Sequence, residues 1–344
     1  MYSKMHFLLL FVFTISLCDV WSVGLLPYSL RTQSLHDPIG IDVEIPSLSW
    51  RIQNSKSIHG KDQHAYEIRS AHQREDLNYN PLWNSGKVIS NSTVVLWAGR
   101  RLASRERVYW QVRLWDTDGN ISEWSEVAAF EIGLRHRHDW DPAVWIENRD
   151  YMTGNTSLPY FAKYFTCSNS ISSARLWIVG LGQFVVTING KSIPGGVLNP
   201  GYFDWNKTLE YSTYDVKSAL QTGDIVLGVA LGKGIYRAEK PLGDRYYKFL
   251  TMPHPMKLIA QLQLNYTNGS SQMIVSDSTW LTTVTGPLLE SSWYGGEEYD
   301  ARKELPGWDT SSYDHSTWKM ADVSNIPNPN ATYRAREFPA IELV

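Results

Sequence analysis

The sequence predicts an all-β protein made of two consecutive β-sandwiches. Short runs of alternating apolar and polar residues recur between turn signals along most of the chain, as in half-buried strands. Beyond the N-terminal region, no segment of about 12 residues keeps a helical apolar period. The 344 residues are 43% hydrophobic and include 15 Trp and 19 Tyr, enough for roughly two domain cores.

The first predicted sandwich covers residues 25–133. Its strand-like runs are "SLSWRIQ", "AYEIRSA", "STVVLWA", "VYWQVRLWD" and "AAFEIG". The Asp-, Gly- and Asn-rich "DTDGN" that follows the fourth run is typical of a hairpin turn. Together with the closing "SEWSE", this order resembles an immunoglobulin/fibronectin type III-like domain.

The second predicted sandwich covers residues 160–323 and follows a connector at 134–159. Its runs include "ARLWIVGL", "QFVVTIN", "DIVLGVAL", "MKLIAQLQLNY" and "SQMIVSD". Asn189-Gly190 suits a type I′ hairpin, in which both central residues need positive φ. Trp280, Trp308 and Trp318 are expected to fill the core, and residues 324–344 are interpreted as a linker and the start of a further domain.

Residues 1–22 have the composition of a secretory signal peptide. The apolar run "FLLLFVFTISLC" is shorter than the roughly 20 residues needed to cross a bilayer. Seven glycosylation sequons fit passage through a secretory pathway, at Asn91, Asn120, Asn155, Asn206, Asn265, Asn268 and Asn330. We therefore expect a secreted, extracellular glycoprotein.

Charge and cysteine content exclude several kinds of site. A formal net charge of -3 provides no basic surface for nucleic acid or anionic lipid, so neither partner is expected. Cys18 lies in the predicted signal peptide, which leaves Cys167 as the one cysteine of the mature chain. No intrachain disulfide and no cysteine metal cluster is therefore predicted, and no metal site is assigned.

The stretch "NPGYFDWNKTLEYSTYDV" at 199–216 is the candidate ligand site. A run this aromatic cannot be wholly exposed on a soluble domain, so Phe203, Tyr211 and Tyr214 are expected in the core. Tyr202, Asp204 and Trp205 are the candidate carbohydrate contacts, through ring stacking and hydroxyl hydrogen bonds. Strict strand alternation would instead place Trp205 inward with Phe203 and make the stretch a folding core alone.

An acidic cluster in "YGGEEYDAR" comprises Glu297, Glu298 and Asp300 beside Arg302. An inverting glycosidase places its two carboxyl groups roughly 6.5 to 9.5 Å apart, on opposite sides of the substrate. Adjacent residues of an extended segment point oppositely, so Glu297 and Glu298 do not fit that arrangement. The cluster is interpreted as structural or interdomain ion pairing, and no catalytic residue is assigned.

The order of several motifs resembles the N-terminal region of bacterial-type α-L-rhamnosidases, the family-78 glycoside hydrolases. These motifs are "PIGIDVEIPSLSWRI", "YWQVRLWDTDG", "GLGQFVVTINGK", the 199–216 stretch, "YGGEEYDAR" and "GWDTSSYDHSTW". The resemblance implies a fibronectin-like domain followed by a galactose-binding-like jelly roll, the rhamnosidase N-terminal domain. It also implies rhamnose-containing glycans as the partner.

In that family the catalytic glutamates lie on an (α/α)6 barrel, which this chain does not contain. The chain is thus interpreted as a non-catalytic part of such an enzyme, carbohydrate-binding or barrel-supporting. An extracellular adhesion or receptor-type module that binds a protein is the alternative. Some relatives bind rhamnose with calcium, but Pro194-Gly195-Gly196 and Asn199 replace acidic residues that are common there, so no cofactor is assigned.

The missing barrel leads to a direct prediction. The purified chain is expected not to release rhamnose from an aryl α-L-rhamnoside, because the acids needed on both sides of the bond are missing. A colorimetric assay tests this. Turnover that disappears on Glu297→Gln or Glu298→Gln would contradict the prediction.

Overall fold

The chain forms two β-sandwiches in the computed structural model. The structure describes residues 24–54, 62–152, 157–195, 197–237, 255–293, 296–326 and 328–336. Within these ranges the regular elements are strands and short 3-10 turns, so the predicted all-β class is confirmed. None of the helical turns in the described ranges is long and apolar enough to cross a membrane. The predicted signal peptide at 1–22 lies outside the described residues.

The first sandwich packs a three-stranded sheet against a five-stranded one. Strands β1, β2 and β6 form the smaller sheet, and β4, β3, β7 and β8 form the larger, with β5 also paired to β3. Their bounds are β1 Leu25–Thr32, β2 Ser47–Asn54, β3 Gln63–Ala71, β4 Trp83–Asn84, β5 Val88–Ile89, β6 Val94–Leu96, β7 Arg107–Asp116 and β8 Ala128–Glu131. Along β7 buried and half-buried residues alternate, because every second side chain enters the core around Trp50 and Trp110.

The second sandwich contains the remaining strands. Their bounds are β9 Trp145–Glu147, β10 Tyr160–Cys167, β11 Ile171–Leu181, β12 Gln183–Ile188, β13 Lys191–Ser192, β14 Thr208–Asp215, β15 Gly223–Gly232, β16 Lys257–Tyr266, β17 Ser271–Val275, β18 Leu281–Thr283, β19 Leu288–Ser292, β20 Gly296–Tyr299, β21 Lys319–Met320, β22 Asp322–Ser324 and β23 Thr332–Ala335. One sheet has the order β13-β12-β15-β10-β18-β21, and the other has β22-β9-β16-β11-β14-β23 with β17 on β16. Strands β19 and β20 form a separate hairpin.

The second sandwich extends at both ends beyond the predicted 160–323. Strand β9, from the predicted connector, pairs with β16 and β22. Strand β23, from the predicted start of a further domain, pairs in parallel with β14. Trp145 Nε1 donates to Tyr333 Oη at 2.9 Å, and both side chains are buried, so a side-chain contact also links these two added strands.

The three tryptophans that were predicted to fill the core lie in two separate clusters. Trp280 is fully buried in the main core between the sheets, with Trp177 and Tyr211. Trp318 belongs to a smaller cluster on the outer face of β10, where the half-buried Trp308 stacks on it at 6.1 Å between ring centroids. The segment before β21 therefore covers one face of the six-stranded sheet.

A buried ion pair joins the two sandwiches. The Arg175 guanidinium of β11 donates to both carboxylate oxygens of Glu131 of β8, at 2.9 and 3.0 Å. The side chains of Arg175 and Glu131 are 8% and 6% exposed. Nearby, Arg105 donates to Gln261 Oε1 at 2.7 Å, and its guanidinium lies 5.3 Å from the Trp177 ring centroid. The junction is thus ordered by charged and aromatic groups of both sandwiches.

Candidate functional site

The candidate ligand stretch begins with a loop at one end of the second sandwich. The amides of Lys207 and Thr208 both donate to the Asp204 carbonyl at 2.8 Å. The Asn206 amide donates to the Asp204 carboxylate at 3.1 Å, an Asx-type turn. This turn leads the chain into β14 and fixes the direction of the preceding aromatic residues.

Alternation continues through the loop. Tyr202, Asp204 and Asn206 are exposed, with Tyr202 at 67% exposure, whereas Phe203 and Trp205 are half-buried. Trp205 packs against the main core and keeps part of its indole accessible. The stretch therefore contributes side chains to the core and also leaves aromatic surface accessible to solvent.

The three residues of this stretch that were expected in the core are not equally buried. Tyr211 and Tyr214 are buried, and burial raises the pKa of the Tyr214 hydroxyl. Phe203 was expected in the core but is half-buried at the surface, because it precedes the sheet and lies in the loop. Tyr211 and Tyr214 lie within β14, where neighbouring strands enclose them.

Phe203 and Trp205 line a narrow cleft, which we call the aromatic cleft. Its other walls are Gly180, Leu181, Gly182, Gln183, Pro200, Gly201, Ile235, Tyr236 and Trp293. The Trp205 ring meets Tyr236 edge-on at 5.1 Å between centroids and 76° between planes, and Tyr202 lies 6.5 Å away on the outer side. The cleft encloses about 280 Å³ when its open mouth is counted.

Asp204 is an exposed carboxylate between Phe203 and Trp205 in sequence. Its Oδ2 atom lies 3.1 Å from Lys207 Nζ. The hydrogen bond from Lys207, followed by that from the Asn206 amide, holds the pKa of this carboxyl below its usual value. Asp204 thus stays ionised at neutral pH and offers hydrogen-bond acceptors to solvent on the exposed face of the loop.

Asn199 has a structural role. Its amide group donates to the Tyr214 hydroxyl, and its Oδ1 atom accepts from Ser212 at 3.1 Å and from Arg336 at 3.2 Å. A Cβ at Gly195 would lie 2.7 Å from the Tyr214 hydroxyl, so the loop needs a glycine there. The described residues contain no group of three or more potential metal ligands.

A second buried ion pair lies just before the residues that complete the cleft. Lys233 Nζ is 2.6 Å from Glu290 Oε2, and the two side chains are 5% and 6% exposed. The amides of Lys233 and Gly234 also donate to the Ser291 carbonyl, at 2.9 and 3.1 Å. The pair therefore anchors the bend from which Ile235 and Tyr236 enter the cleft.

Sequence reasoning did not identify the residues that complete the aromatic cleft or the ion pair beside it. Lys233 and Tyr236 lie in "LGKGIYR", which is glycine-rich and predicts a bend without indicating what it contacts. Trp293 and Glu290 are far away in sequence, and spacing gives no signal for such a pairing. Burial and Glu147 raise the pKa of Tyr236, which places this ring next to buried charge.

The acidic cluster is a separate, local structure. Glu297 and Glu298 are exposed on β20, opposite Ser291 and Glu290 of β19. Asp300 caps a 3-10 turn and pairs with Arg302 through two hydrogen bonds of 2.8 Å, and Arg302 lowers the Asp300 pKa to about 2. This pair joins neighbouring residues, and the structure does not bring it together with the aromatic stretch into one catalytic arrangement among the described residues.

The sequon asparagines differ in accessibility. Asn91, Asn206, Asn268 and Asn330 are exposed. Asn120 is exposed, but its Nδ2 atom donates to Asp116 at 2.9 Å, and the half-buried Asn265 donates to Ser173 at 2.9 Å. Asn155 lies outside the described residues. Asn206 is the sequon nearest in sequence to the aromatic cleft.

Two family models match the chain. Residues 169–344 match the alpha-L-rhamnosidase N-terminal domain, and residues 27–136 match the Rha78A-like N-terminal immunoglobulin domain. The second match covers most of the first sandwich, and the first covers the second sandwich from β11 onward.

Curated relatives and solved structures agree with those models. An alpha-L-rhamnosidase of Formosa agariphila is 33% identical over 302 residues, covering 85% of this chain and 32% of the relative. An alpha-L-rhamnosidase of Alteromonas sp. strain LOR is 33% identical, covering 90% of this chain and 34% of the relative. The alpha-L-rhamnosidase structure from Dictyoglumus thermophilum has a TM-score of 0.82 at 32% identity, covering 93% of this chain and 36% of that one.

A more distant structure shows the same fold. The Streptomyces avermitilis alpha-L-rhamnosidase, solved in complex with L-rhamnose, has a TM-score of 0.79 at 21% identity and covers 89% of this chain and 46% of that one. The chain spans about a third of the length of the curated relatives it matches.

Proposed function

Because the chain belongs to the N-terminal, non-catalytic region of the α-L-rhamnosidases, we propose that it contacts carbohydrate for a secreted α-L-rhamnosidase-like glycoside hydrolase. The aromatic cleft is the observation that carries this proposal. Its rings offer apolar faces to a pyranose, and the exposed Asp204, next to Trp205 in sequence, offers acceptors for hydroxyl groups.

The ligand class follows from chemistry and from relatives together. A sugar ring has an apolar face of C–H groups and an edge of hydroxyl groups. Trp205 and Tyr202 present the first kind of partner and Asp204 the second. A relative has been solved with L-rhamnose, so rhamnose-containing glycans are the proposed partner.

Secretion and glycosylation belong to the same proposal. Four of the sequon asparagines are exposed, at Asn91, Asn206, Asn268 and Asn330. Such positions are accessible to a glycosylating enzyme. Asn265, whose amide is engaged in β16, is less suited to modification.

Support of a following domain is a second proposed role. The Arg175–Glu131 pair and the Arg105 contacts fix the two sandwiches to one another. A pair of sandwiches joined in this way presents its surfaces at a fixed relative orientation. This is what a barrel would need from an N-terminal support.

Loss of the Trp205 ring tests carbohydrate binding. Titration of L-rhamnose into the purified chain is expected to shift the Trp indole signals in NMR spectra. Trp205→Ala is expected to weaken binding about two- to tenfold, since one aromatic contact contributes roughly 0.5–1.5 kcal/mol. Wild-type spectra that stay unchanged up to saturating sugar would contradict the proposal.

Two further variants separate binding from folding. Trp205→Phe keeps a ring against the core and is expected to retain part of the affinity. Tyr79→Ala removes a ring that is 88% exposed on the first sandwich, and it should bind like the wild type. If Trp205→Ala remains folded by circular dichroism and binds normally, Trp205 is no contact.

A further inference from the structure

The larger sheet of the first sandwich carries a line of positive charges on its outer face. Alternate residues of β7 point away from the core, and they span roughly 26 Å along the strand. Five cations meet three aromatic rings along this line, each with its charged group 3.9 to 5.3 Å from a ring centroid. We call this surface the cationic face: Lys87 and Arg113 at Trp115, Arg69 and Arg113 at Trp124, and Arg74 and Arg107 at Tyr109.

The centre of the cationic face brings two guanidinium groups together. Arg69 and Arg113 lie 3.9 and 4.7 Å from the Trp124 ring centroid. Arg113 is 2.6 Å from Glu67, whereas Arg69 donates to the neutral amide of Gln111. Burial lowers the pKa of Arg69, and the like charge of Arg113 lowers it further. An anion bound at this point would relieve the repulsion between the two groups.

The ends of the cationic face are open to solvent. Lys87 and Arg74 are exposed, and within the described part of the chain neither takes part in an ion pair. The 3-10 turn after Arg74 contains Glu75 and Asp76, which offset part of the charge at that end. Lys87 and Arg74 can thus reach a ligand that lies along β7.

The arrangement suits a linear chain of carboxylates. The protein as a whole carries a formal charge of -3, so the attraction for an anion is local to this surface. Guanidinium groups match carboxylate oxygens in a bidentate geometry, and stacking on a ring holds each side chain against the sheet. Single-stranded nucleic acid needs free aromatic rings for its bases, but here the cations cover the rings.

We propose that the cationic face binds an acidic polysaccharide through Lys87, Arg69 and Arg113. This goes beyond the proposed sugar contact, because the face lies on the other sandwich and needs no residue of the aromatic cleft. Its role is to retain the protein on a charged glycan.

Polygalacturonate, which has a carboxylate on each sugar, tests the proposal. Calorimetric titration of the full chain is expected to show binding of polygalacturonate and none of neutral dextran. The Kd should rise about tenfold or more between roughly 50 and 200 mM salt, as expected when about three cations displace counterions. Absence of polygalacturonate binding at the lower salt concentration would overturn the proposal. Equally tight binding of single-stranded DNA would overturn the choice of a polysaccharide.

Two double variants with the same change in net charge locate the site. Lys87→Gln/Arg69→Gln is expected to weaken polygalacturonate binding about five- to tenfold, because it removes two charge contacts. Arg302→Gln/Lys303→Gln removes two charges from an exposed turn of the second sandwich and should bind like the wild type. Equal weakening in the two variants would show that net charge alone matters and would overturn the proposal.

Two single variants complete the test. Lys87→Gln lies in an exposed loop and should weaken binding about two- to threefold without affecting the fold, so it replaces the double variant if that one unfolds. Trp205→Ala should bind polygalacturonate like the wild type. A loss with Trp205→Ala and none with Lys87→Gln would place the polysaccharide in the aromatic cleft and would refute binding at the cationic face.

Discussion

Arg175→Met is expected to lower the free energy of unfolding by about 3–5 kcal/mol, as removal of one partner of a buried ion pair does. The substitution leaves the Glu131 carboxylate buried, with Arg107 the remaining cation, 3.9 Å away. The two sandwiches also lose one of the side-chain contacts that join them, while the Arg105–Gln261 hydrogen bond remains. Chemical denaturation followed by Trp fluorescence measures the effect.

An exposed arginine provides the control for that prediction. Arg302 is also bonded to a carboxylate through two hydrogen bonds, but its side chain is 89% exposed. Arg302→Met is expected to change stability little, because solvent screens such pairs.

The double variant Arg175→Met/Glu131→Leu should recover much of the loss, since it leaves no unpaired charge between the two partners. Equal denaturation midpoints for Arg175→Met and Arg302→Met would show that the pair does not join the sandwiches.

Lys233→Met is expected to cost a similar 3–5 kcal/mol and to weaken sugar binding as well. Glu290 would remain buried without the ammonium group that now lies 2.6 Å from it. The bend at Lys233 and Gly234, held on the Ser291 carbonyl, leads directly to Tyr236. A disturbed bend would move Tyr236 away from Trp205 and open the aromatic cleft.

Lys207→Met is the matched control for this effect. Lys207 also pairs with a carboxylate, Asp204, but its side chain is largely exposed. It should leave stability nearly unchanged. The double variant Lys233→Met/Glu290→Leu is expected to restore stability. If Lys233→Met alone is as stable as Lys207→Met, the buried pair does not hold the bend.

Local sequence patterns were sufficient to predict the fold class and many of the strands and turns. The alternation in "VYWQVRLWD" predicts β7, and every second residue of that strand is buried. Asn189 and Gly190 both have positive φ, as their turn signal indicates. The motif order also led to the family, which the family models confirm.

The boundaries of the second sandwich depended on contacts between distant segments. Strand β9 looked like part of a connector and β23 like the start of a further domain, because each is short and has no neighbouring hairpin partner. They pair with β16 and β14, across more than one hundred residues of sequence. Short strands carry little pattern of their own, so their partners decide whether they form.

The candidate site, like the second sandwich, could be predicted from the sequence only in part. By itself the sequence determined the all-β class and the aromatic stretch around Trp205, since these depend on neighbours within a few positions, but it left open whether strand alternation continues through the loop. The tertiary structure alone decided that Tyr236 and Trp293 complete the cleft and that Lys233 pairs with Glu290. Such contacts follow from how the sheets bring distant loops to one end, and no local period encodes that arrangement.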